Sequence, residues 1–257
     1  MSTSPRCFRL PVLAAGALAS VQVRGVVRMV TVCWSVKGGT GLSVVAAALA
    51  LEMASPASDQ PVLLVDLAGD AADILGQPDA RAPGAADWLG AAGVPAAALS
   101  GLVRSITPSL ALLPAGSVAD VPPDADRLTQ MAEWLLLWPG SVVVDAGRRA
   151  SVRRPLLVRA DRSVLVLRLC YLALQAASSG SEGDRPDQIV IVDEPGRSLT
   201  CGDVVAALGA PVVARVAFDP SISRAVDAGL LAARMPRLLS RGLRPMLDRP
   251  MLSPVVA

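Results

Sequence analysis

The segment Val36-Lys37-Gly38-Gly39-Thr40-Gly41-Leu42-Ser43 decides the fold of this chain, because one apolar run precedes it (Met29 to Trp34) and another follows it (Val44 to Leu51). A strand, a glycine-rich turn and a helix in this order are the setting of a phosphate-binding loop. The glycines let the backbone curl so that successive N–H groups face an anion, and the helix N-terminus adds partial positive charge. The alternative interpretation is a glycine-rich turn without a ligand.

The loop contains the chain's single lysine and departs from the usual pattern at one position. Lys37 is the one lysine among 24 basic residues, and a compact ammonium group is not interchangeable with arginine at a phosphate site. In the pattern GxxxxGK[ST] a lysine directly before the Ser/Thr reaches the β- and γ-phosphates, but here that residue is Leu42. One lost charge-assisted contact costs about 1.5–3 kcal/mol, or about tenfold to over a hundredfold in affinity. We therefore expect nucleotide binding with weak hydrolysis, through these residues: Gly38, Gly39, Thr40, Gly41, Leu42 and Ser43.

Two further apolar runs end in aspartate. The run Pro61 to Val65 precedes Asp66, and the run Ser141 to Val144 precedes Asp145. An aspartate at the end of such a strand commonly contacts Mg²⁺ through water, since Mg²⁺ dehydrates reluctantly. The hydroxyl of Ser43 supplies the direct ligand in a phosphate-binding loop. The sequence therefore predicts a Mg²⁺ site at Ser43 and Asp145, whereas Asp66 has capping of the following turn as an alternative role.

Apolar runs alternate with helical patterns along most of the chain, and this alternation predicts an α/β fold with a doubly wound, mostly parallel sheet and helices on both faces. Short, continuously apolar runs rich in β-branched residues are typical of strands covered on both faces. The predicted strands are 29–36, 61–65, 110–113, 141–144, 163–167, 189–192 and 211–216. The predicted helices are 43–53, 85–89, 124–137, 171–178, 200–208 and 221–228. Residues 78–100 are rich in Ala, Gly and Pro, which indicates a surface excursion that carries the short helix 85–89.

The loop resembles the deviant Walker A motif of the ParA/MinD ATPase family, KGGxGK[ST], with Lys37 at the signature lysine and Leu42 in place of the second lysine. Within that family the loop is most similar to the TadZ/CpaE branch. The resemblance covers roughly residues 29–235 and continues in Gly69-Asp70 to Gly76 and in Leu208 to Gly229. It departs from the family at Ala68, where a second aspartate of a DxD pattern is common.

The resemblance implies ATP or ADP with Mg²⁺ as cofactors and a nucleotide-dependent homodimer. It also implies that Lys37 reaches the partner's phosphates, that Asp66 helps to place the attacking water, and that Asp193 and Pro195 lie beside the base. Family members often carry asparagine at the position of Asp193, and this chain has none. Because a carboxylate accepts from adenine's amino group or from guanine's N1 and N2 donors, the base preference stays open.

Three functions follow from these patterns. The leading one is a dimeric switch that positions cellular cargo through a protein adaptor, with weak ATPase activity at most. The second is a pseudo-ATPase scaffold that uses the fold as a binding surface. The third is a metabolic relative of the same P-loop class, an ATP-dependent ligase or an iron–sulfur carrier. The lack of paired interfacial cysteines counts against the carrier, and the lack of a recognisable substrate motif weakens the ligase.

Composition restricts the partners, the metal or disulfide sites and the cellular location that are expected for the protein. A formal net charge of +2 over 257 residues argues against a strong attraction of the whole molecule to nucleic acid. The four cysteines form no CxxC pair, so neither a zinc site nor a disulfide framework is indicated, and a reducing cytoplasm fits. Residues 1–28 are interpreted as a flexible leader or as a mis-assigned start before Met29, with a secretory signal peptide as the alternative.

Two arginine-rich segments have competing interpretations. Arginines at 148, 149, 153, 154, 159 and 162 indicate a weak DNA-contacting patch or, favoured here, a solvated helix face or salt-bridged interface. Residues 230–247 resemble a membrane-targeting helix, but Pro236 and Pro245 interrupt it. We therefore expect a C-terminal helix and tail over 236–257, outside the nucleotide-binding domain 29–235, with the helix packed on the sheet. Membrane binding is not expected.

Overall fold

The computed structural model describes residues 28–55, 60–77, 82–117, 124–180 and 184–248. The leader interpreted at 1–28 (except Arg28), residues 78–81 of the surface excursion and the tail at 249–257 lie outside the described residues.

The described residues form one eight-stranded sheet in the order β3-β4-β2-β5-β1-β6-β7-β8. Neighbouring strands run parallel except for the short pair β3 and β4, which is antiparallel. The strands are β1 (Val30–Trp34), β2 (Val62–Asp66), β3 (Arg104–Ser105), β4 (Leu110–Leu113), β5 (Ser141–Asp145), β6 (Arg162–Arg168), β7 (Gln188–Asp193) and β8 (Val212–Ala217). The α/β, doubly wound fold class predicted from the sequence is confirmed.

Helices cover both faces of this sheet. They are α1 (Leu42–Met53), α2 (Ala71–Ile74), α3 (Ala85–Gly90), α4 (Ala125–Leu136), α5 (Ala150–Leu157), α6 (Tyr171–Ser178), α7 (Cys201–Leu208), α8 (Pro220–Asp227) and α9 (Arg237–Leu247), with a 3₁₀-helix at Ala96–Leu102. One hydrophobic core lies between the sheet and α1, α2, α8 and α9. The other lies between the opposite face and α3 to α7. Residues of the central strands alternate between the two cores, which explains why these strands are apolar at nearly every position.

Parallel pairing brings the aspartates that end two strands side by side. In the register of β2 and β5, Asp66 lies opposite Asp145, and in that of β1 and β5, Cys33 lies opposite Asp145. The phosphate-binding loop leaves the end of β1 and enters α1 at this same edge. In open α/β sheets ligands bind at the carboxyl ends of the strands, so the topology collects the predicted site residues at one edge.

Helix α9 packs closely on β8 and also contacts α1. Its residues Leu239, Leu243 and Met246 are buried in the core that α1 shares, as expected for a terminal helix that packs on the sheet. The expected interruption is confirmed at Pro236, because residues 231–236 are not helical and α9 begins only at Arg237, but it was wrong at Pro245, which lies within the last turn of α9. No helix among the described residues is long and apolar enough to cross a membrane.

The arginines after β5 do not form a single exposed patch. Arg153 and Arg162 are buried, and Asp184 accepts from Arg154 at 2.9 and 2.7 Å and pairs with Arg153 at 3.2 Å. Arg159 lies 3.7 Å from Glu133. This arrangement fits the interpretation as a salt-bridged interface better than the interpretation as a continuous DNA-contacting patch.

Candidate functional site

The loop between β1 and α1 has the backbone shape that its glycines predict. Gly39 and Gly41 have φ of 71° and 82°, a region that side chains disfavour. Gly41 is the N-cap of α1, and its carbonyl accepts from the N–H of Val45 at 2.9 Å. The first turn of a helix leaves N–H groups without intrahelical partners, so this loop directs backbone donors and the positive end of α1 into one space.

Ser35 fixes the loop to the sheet beneath it. Its hydroxyl donates to the carbonyl of Val166 at 2.9 Å and accepts from the hydroxyl of Thr40 at 3.1 Å. Both Ser35 and Thr40 are buried. The side chain of Thr40 therefore anchors the loop from inside, and its backbone is the part that remains available to a ligand.

Asp145 is a fully buried carboxylate with one unused oxygen. Its Oδ1 accepts from the N–H of Gly147 at 3.1 Å, but its Oδ2 has no hydrogen-bond partner among the described residues. Burial raises the pKa of Asp145 to about 7; the nearby Ser43 hydroxyl opposes this rise, and the negative charge of Asp66 adds to it. A buried oxygen without a partner is costly, and a cation beside it would remove that cost.

Asp66 has a different environment, although it is also buried. Its Oδ1 accepts from the N–H groups of Ala68 and Gly69 at 2.9 and 2.7 Å, and its Oδ2 accepts from the N–H of Ala71 at 2.9 Å. Burial raises its pKa, and these three backbone hydrogen bonds oppose the rise. The geometry is that of a carboxylate capping the turn before α2, which is the alternative role that the sequence allows. Its catalytic role stays a prediction.

A cleft of about 1000 Å³ opens at this edge of the sheet. Lys37, Asp66 and all of the predicted loop residues from Gly38 to Ser43 line it. The hydroxyl of Ser43 makes a long hydrogen bond of 3.4 Å to Asp70, which also lines the cleft. Ligand pockets in proteins are typically about 300–1,000 Å³, so the cleft has room for a nucleotide.

Leu42 is the residue that most distinguishes this loop. Its side chain is only 8% exposed and packs within the core beneath α1, although its edge also lines the cleft. This position therefore carries no charge toward a phosphate. Here the side chain of the first helical residue contributes to the hydrophobic core.

Lys37 is exposed, and among the described residues its ammonium group has no ion-pair partner. The backbone N–H of Ala173 lowers the pKa of the Cys170 thiol, and the charge of Lys37 adds a smaller effect in the same direction. An unpaired, exposed cation at the rim of the cleft is available to a second molecule. A contact with a partner's phosphates stays a prediction.

The two residues predicted beside the base lie outside the cleft lining that the described residues form. The carboxylate of Asp193 pairs with Arg215 on the neighbouring strand β8, and Pro195 is exposed. Val192, Val216 and Phe218 line the cleft at this end instead. Roles of Asp193 and Pro195 in base binding stay predictions, and the pairing of Asp193 would have to rearrange for them.

Three arginines that sequence reasoning did not assign to the site also line the cleft: Arg148, Arg149 and Arg168. Arg168 lies over the ring of Phe218 at 5.1 Å and 3.8 Å from Glu194. Arg148 and Arg149 follow the predicted Mg²⁺ aspartate by three and four positions, and this spacing was the available signal. The sequence pattern groups them instead with the arginines of α5.

The residues present fit a Mg²⁺ ion. Mg²⁺ prefers oxygen ligands and keeps several of its waters, and the hydroxyl of Ser43 and the free Oδ2 of Asp145 meet that preference. These two side chains would hold the ion, and its positive charge would neutralise the charge of bound phosphate groups.

The order of strands, the glycine loop and the cleft define the P-loop nucleoside triphosphatase architecture. Comparisons with solved structures narrow it to the ParA/MinD-type fold. A ParA family ATPase from Chlorobium tepidum is 22% identical, with 84% of this chain and 96% of that chain covered and a TM-score of 0.68. MinD complexed with Mg-ADP from Pyrococcus horikoshii is 16% identical over 87% and 97%, with a TM-score of 0.69. A MinC:MinD complex from Aquifex aeolicus is 21% identical over 87% and 98%, with a TM-score of 0.68. No protein-family model and no curated protein match the chain.

Proposed function

We propose that this protein is a ParA/MinD-like ATP-binding protein that forms a nucleotide-dependent homodimer and positions cellular cargo through a protein adaptor. Its ATPase activity is weak at most, because Leu42 replaces the lysine that reaches the β- and γ-phosphates. The loop style favours the TadZ/CpaE branch. A cytoplasmic location accompanies this proposal, since the nucleotide is supplied there.

One observation carries the nucleotide-binding part. The unpartnered Oδ2 of buried Asp145 adjoins the Ser43 hydroxyl at the N-terminus of α1, next to the cleft. A glycine-rich anion site and an oxygen site for Mg²⁺ thus lie side by side, as a Mg-nucleotide requires. The solved ParA/MinD-type structures support the same ligand, since one of them holds Mg-ADP.

The second candidate is a scaffold that has lost nucleotide turnover. The observation in its favour is that Asp66 already uses both carboxylate oxygens to cap the turn before α2. Such a carboxylate is poorly placed to orient a water molecule. A scaffold of this kind would use the fold as an interaction surface and would not need to hydrolyse nucleotide.

Binding of nucleotide to the purified full-length chain tests the proposal. We expect Mg-ATP and Mg-ADP to bind at micromolar concentrations and to raise the melting temperature, as does any ligand that binds only the native state. Removal of Mg²⁺ with a chelator should weaken the binding. A melting temperature that does not change at millimolar Mg-ATP or Mg-GTP would support the scaffold.

A further inference from the structure

The cleft lacks the lysine that usually meets the β- and γ-phosphates, but it does not lack positive charge. We propose that Arg148 supplies, from the same chain, the phosphate contact that Leu42 cannot make, and that it thereby gives the site its preference for a triphosphate. This inference rests on the proposed nucleotide binding. Arg148 lines the cleft and follows Asp145, the last residue of β5, by three positions, and the Ser43 hydroxyl lies beside Asp145.

Three hydrogen bonds fix the backbone that presents Arg148. The N–H of Gly147 donates to Asp145 at 3.1 Å, and the N–H of Ser35 donates to the carbonyl of Gly147 at 3.1 Å. The carbonyl of Arg148 accepts from Arg153 at 3.1 Å. The turn after β5 is therefore tied both to the Mg²⁺ aspartate and to the base of the phosphate-binding loop.

The third of these bonds comes from a residue that is itself firmly held. Arg153 is buried, its guanidinium lies 4.6 Å over the ring of Trp34, and it pairs with buried Asp184 at 3.2 Å. Its position is thus set from inside the protein. The backbone of Arg148 is held by the hydrogen bond from buried Arg153, whereas Arg148 itself is exposed and lines the cleft.

Charge pairing separates Arg148 from the other cations of the cleft. Among the described residues its guanidinium has no partner, whereas Arg168 lies against Glu194 and Phe218 and Arg149 is engaged in another interaction. Arg148 is therefore the arginine of the cleft lining that is available to a triphosphate bound in the loop of the same chain.

The chemistry of guanidinium suits this position. Arginine donates in a planar fork to two phosphate oxygens and stays charged at all relevant pH values. Asp66 and Asp70 also line the cleft, Asp66 opposite Asp145 in the register of β2 and β5 and Asp70 3.4 Å from the Ser43 hydroxyl, so a γ-phosphate in the cleft would lie near negative charge that a cation must offset. ADP has no γ-phosphate and would lose less from the removal of Arg148.

Isothermal titration calorimetry of the full chain with Mg-AMPPNP and Mg-ADP tests this inference. Arg148→Ala should weaken Mg-AMPPNP binding by about tenfold or more, as expected for one lost charge-assisted contact, and should weaken Mg-ADP binding clearly less. Arg148→Lys should lose less than Arg148→Ala. The charge-matched control Arg159→Ala, on an exposed arginine 3.7 Å from Glu133, should leave both affinities unchanged.

A second titration experiment restores the missing lysine. Leu42→Lys in the Arg148→Ala background should recover most of the lost Mg-AMPPNP affinity, because the two side chains would serve the same phosphates. Equal affinities of wild type and Arg148→Ala for Mg-AMPPNP, with folding verified by thermal melting, would overturn the inference and leave the proposed function intact. A wild type that binds neither nucleotide would overturn both.

Discussion

Folding and the proposed binding of Mg²⁺ favour opposite protonation states of Asp145. Its burial at the end of β5 raises its pKa to about 7, with the charge of Asp66 acting in the same direction. A group that binds its proton more tightly in the folded state than in the unfolded state destabilises the fold as it ionises. The ionised form of Asp145 is therefore unfavourable in the folded protein unless a cation binds beside it.

This conflict predicts a pH dependence of stability that Asp145→Asn should reduce. The folded chain binds more protons than the unfolded chain between pH 3.8, the ordinary pKa of an aspartate side chain, and about pH 7. The free energy of unfolding of wild type should therefore fall as pH rises through that window, by up to about 4 kcal/mol at 1.36 kcal/mol per pKa unit. Asp145→Asn should be less pH-dependent and should not bind Mg²⁺ with nucleotide. Urea unfolding at pH 5 and pH 8 in Mg²⁺-free buffer measures this.

The control is Asp227→Asn, which removes an exposed carboxylate that also lines the cleft. It should keep the wild-type pH dependence. If Asp145→Asn and wild type lost the same free energy between pH 5 and pH 8, the raised pKa of Asp145 would be refuted.

Single residues of the site were predictable where a short motif fixes their place. Ser43 and Asp145 follow from the loop pattern and from an apolar run that ends in aspartate, and both lie together in the structure. The pairing of Asp193 with Arg215 was not predictable, because it depends on which strand lies beside β7. The burial of Leu42 likewise depends on the packing of α1 against the sheet.

Among the elements, helix α9 approaches the sheet at a glycine. A Cβ atom built on Gly242 would lie 2.5 Å from the carbonyl oxygen of Arg215 and 3.2 Å from the Cα of Val216. Both contacts are to the backbone of β8, which cannot move aside as a flexible side chain can. Gly242 therefore sets the distance between α9 and β8.

We predict that Gly242→Ala destabilises the protein by about 1–3 kcal/mol, the usual range for overpacking a core. The matched control is Gly202→Ala in helix α7, where the new Cβ would meet only the Thr200 hydroxyl at an ordinary 3.5 Å. There the helix propensity of alanine should stabilise the protein by up to about 1 kcal/mol. Chemical denaturation of the two variants measures both effects. Equal effects of the two substitutions would contradict the close approach at Gly242.

Helices and strands were predictable where the pattern of apolar residues along the sequence is long and regular. The buried parallel strands are continuous apolar runs, and their predicted bounds agree with the structure to within about two residues. The strand β3 escaped prediction because it has only two residues, Arg104 and Ser105. The bounds of helix α5 escaped prediction because its arginines and Pro155 hide its apolar positions, which pack against β1 and α4 only after the chain has folded.

At the scale of the whole molecule, the exposed ammonium group of Lys37 at the cleft is available to a second copy of the chain. Lys37→Ala should leave the fold intact, because the side chain is exposed and has no ion-pair partner among the described residues. It should weaken nucleotide binding modestly and abolish the mass increase with Mg-AMPPNP, since the proposed contact would exist only in a dimer. Light scattering with and without Mg-AMPPNP measures the mass.

Two comparisons sharpen the dimerisation experiment. Lys37→Arg should fail as Lys37→Ala does, because a planar guanidinium does not replace a compact ammonium at such a site. Arg159→Ala should behave as wild type. A wild type that stays monomeric with Mg-AMPPNP, or a Lys37→Ala variant that still dimerises, would refute a contact across the dimer.

The two ends of the sheet restrict how copies of this protein can associate. At one end β3 is only two residues long and antiparallel, and at the other β8 carries the exposed, charged Arg215. Short edge strands and charged side chains discourage another chain from extending a sheet. Joining two copies into one continuous sheet, the route by which open sheets grow into fibres, is therefore disfavoured. The proposed nucleotide-dependent association would then not compete with growth of the sheet along its edges.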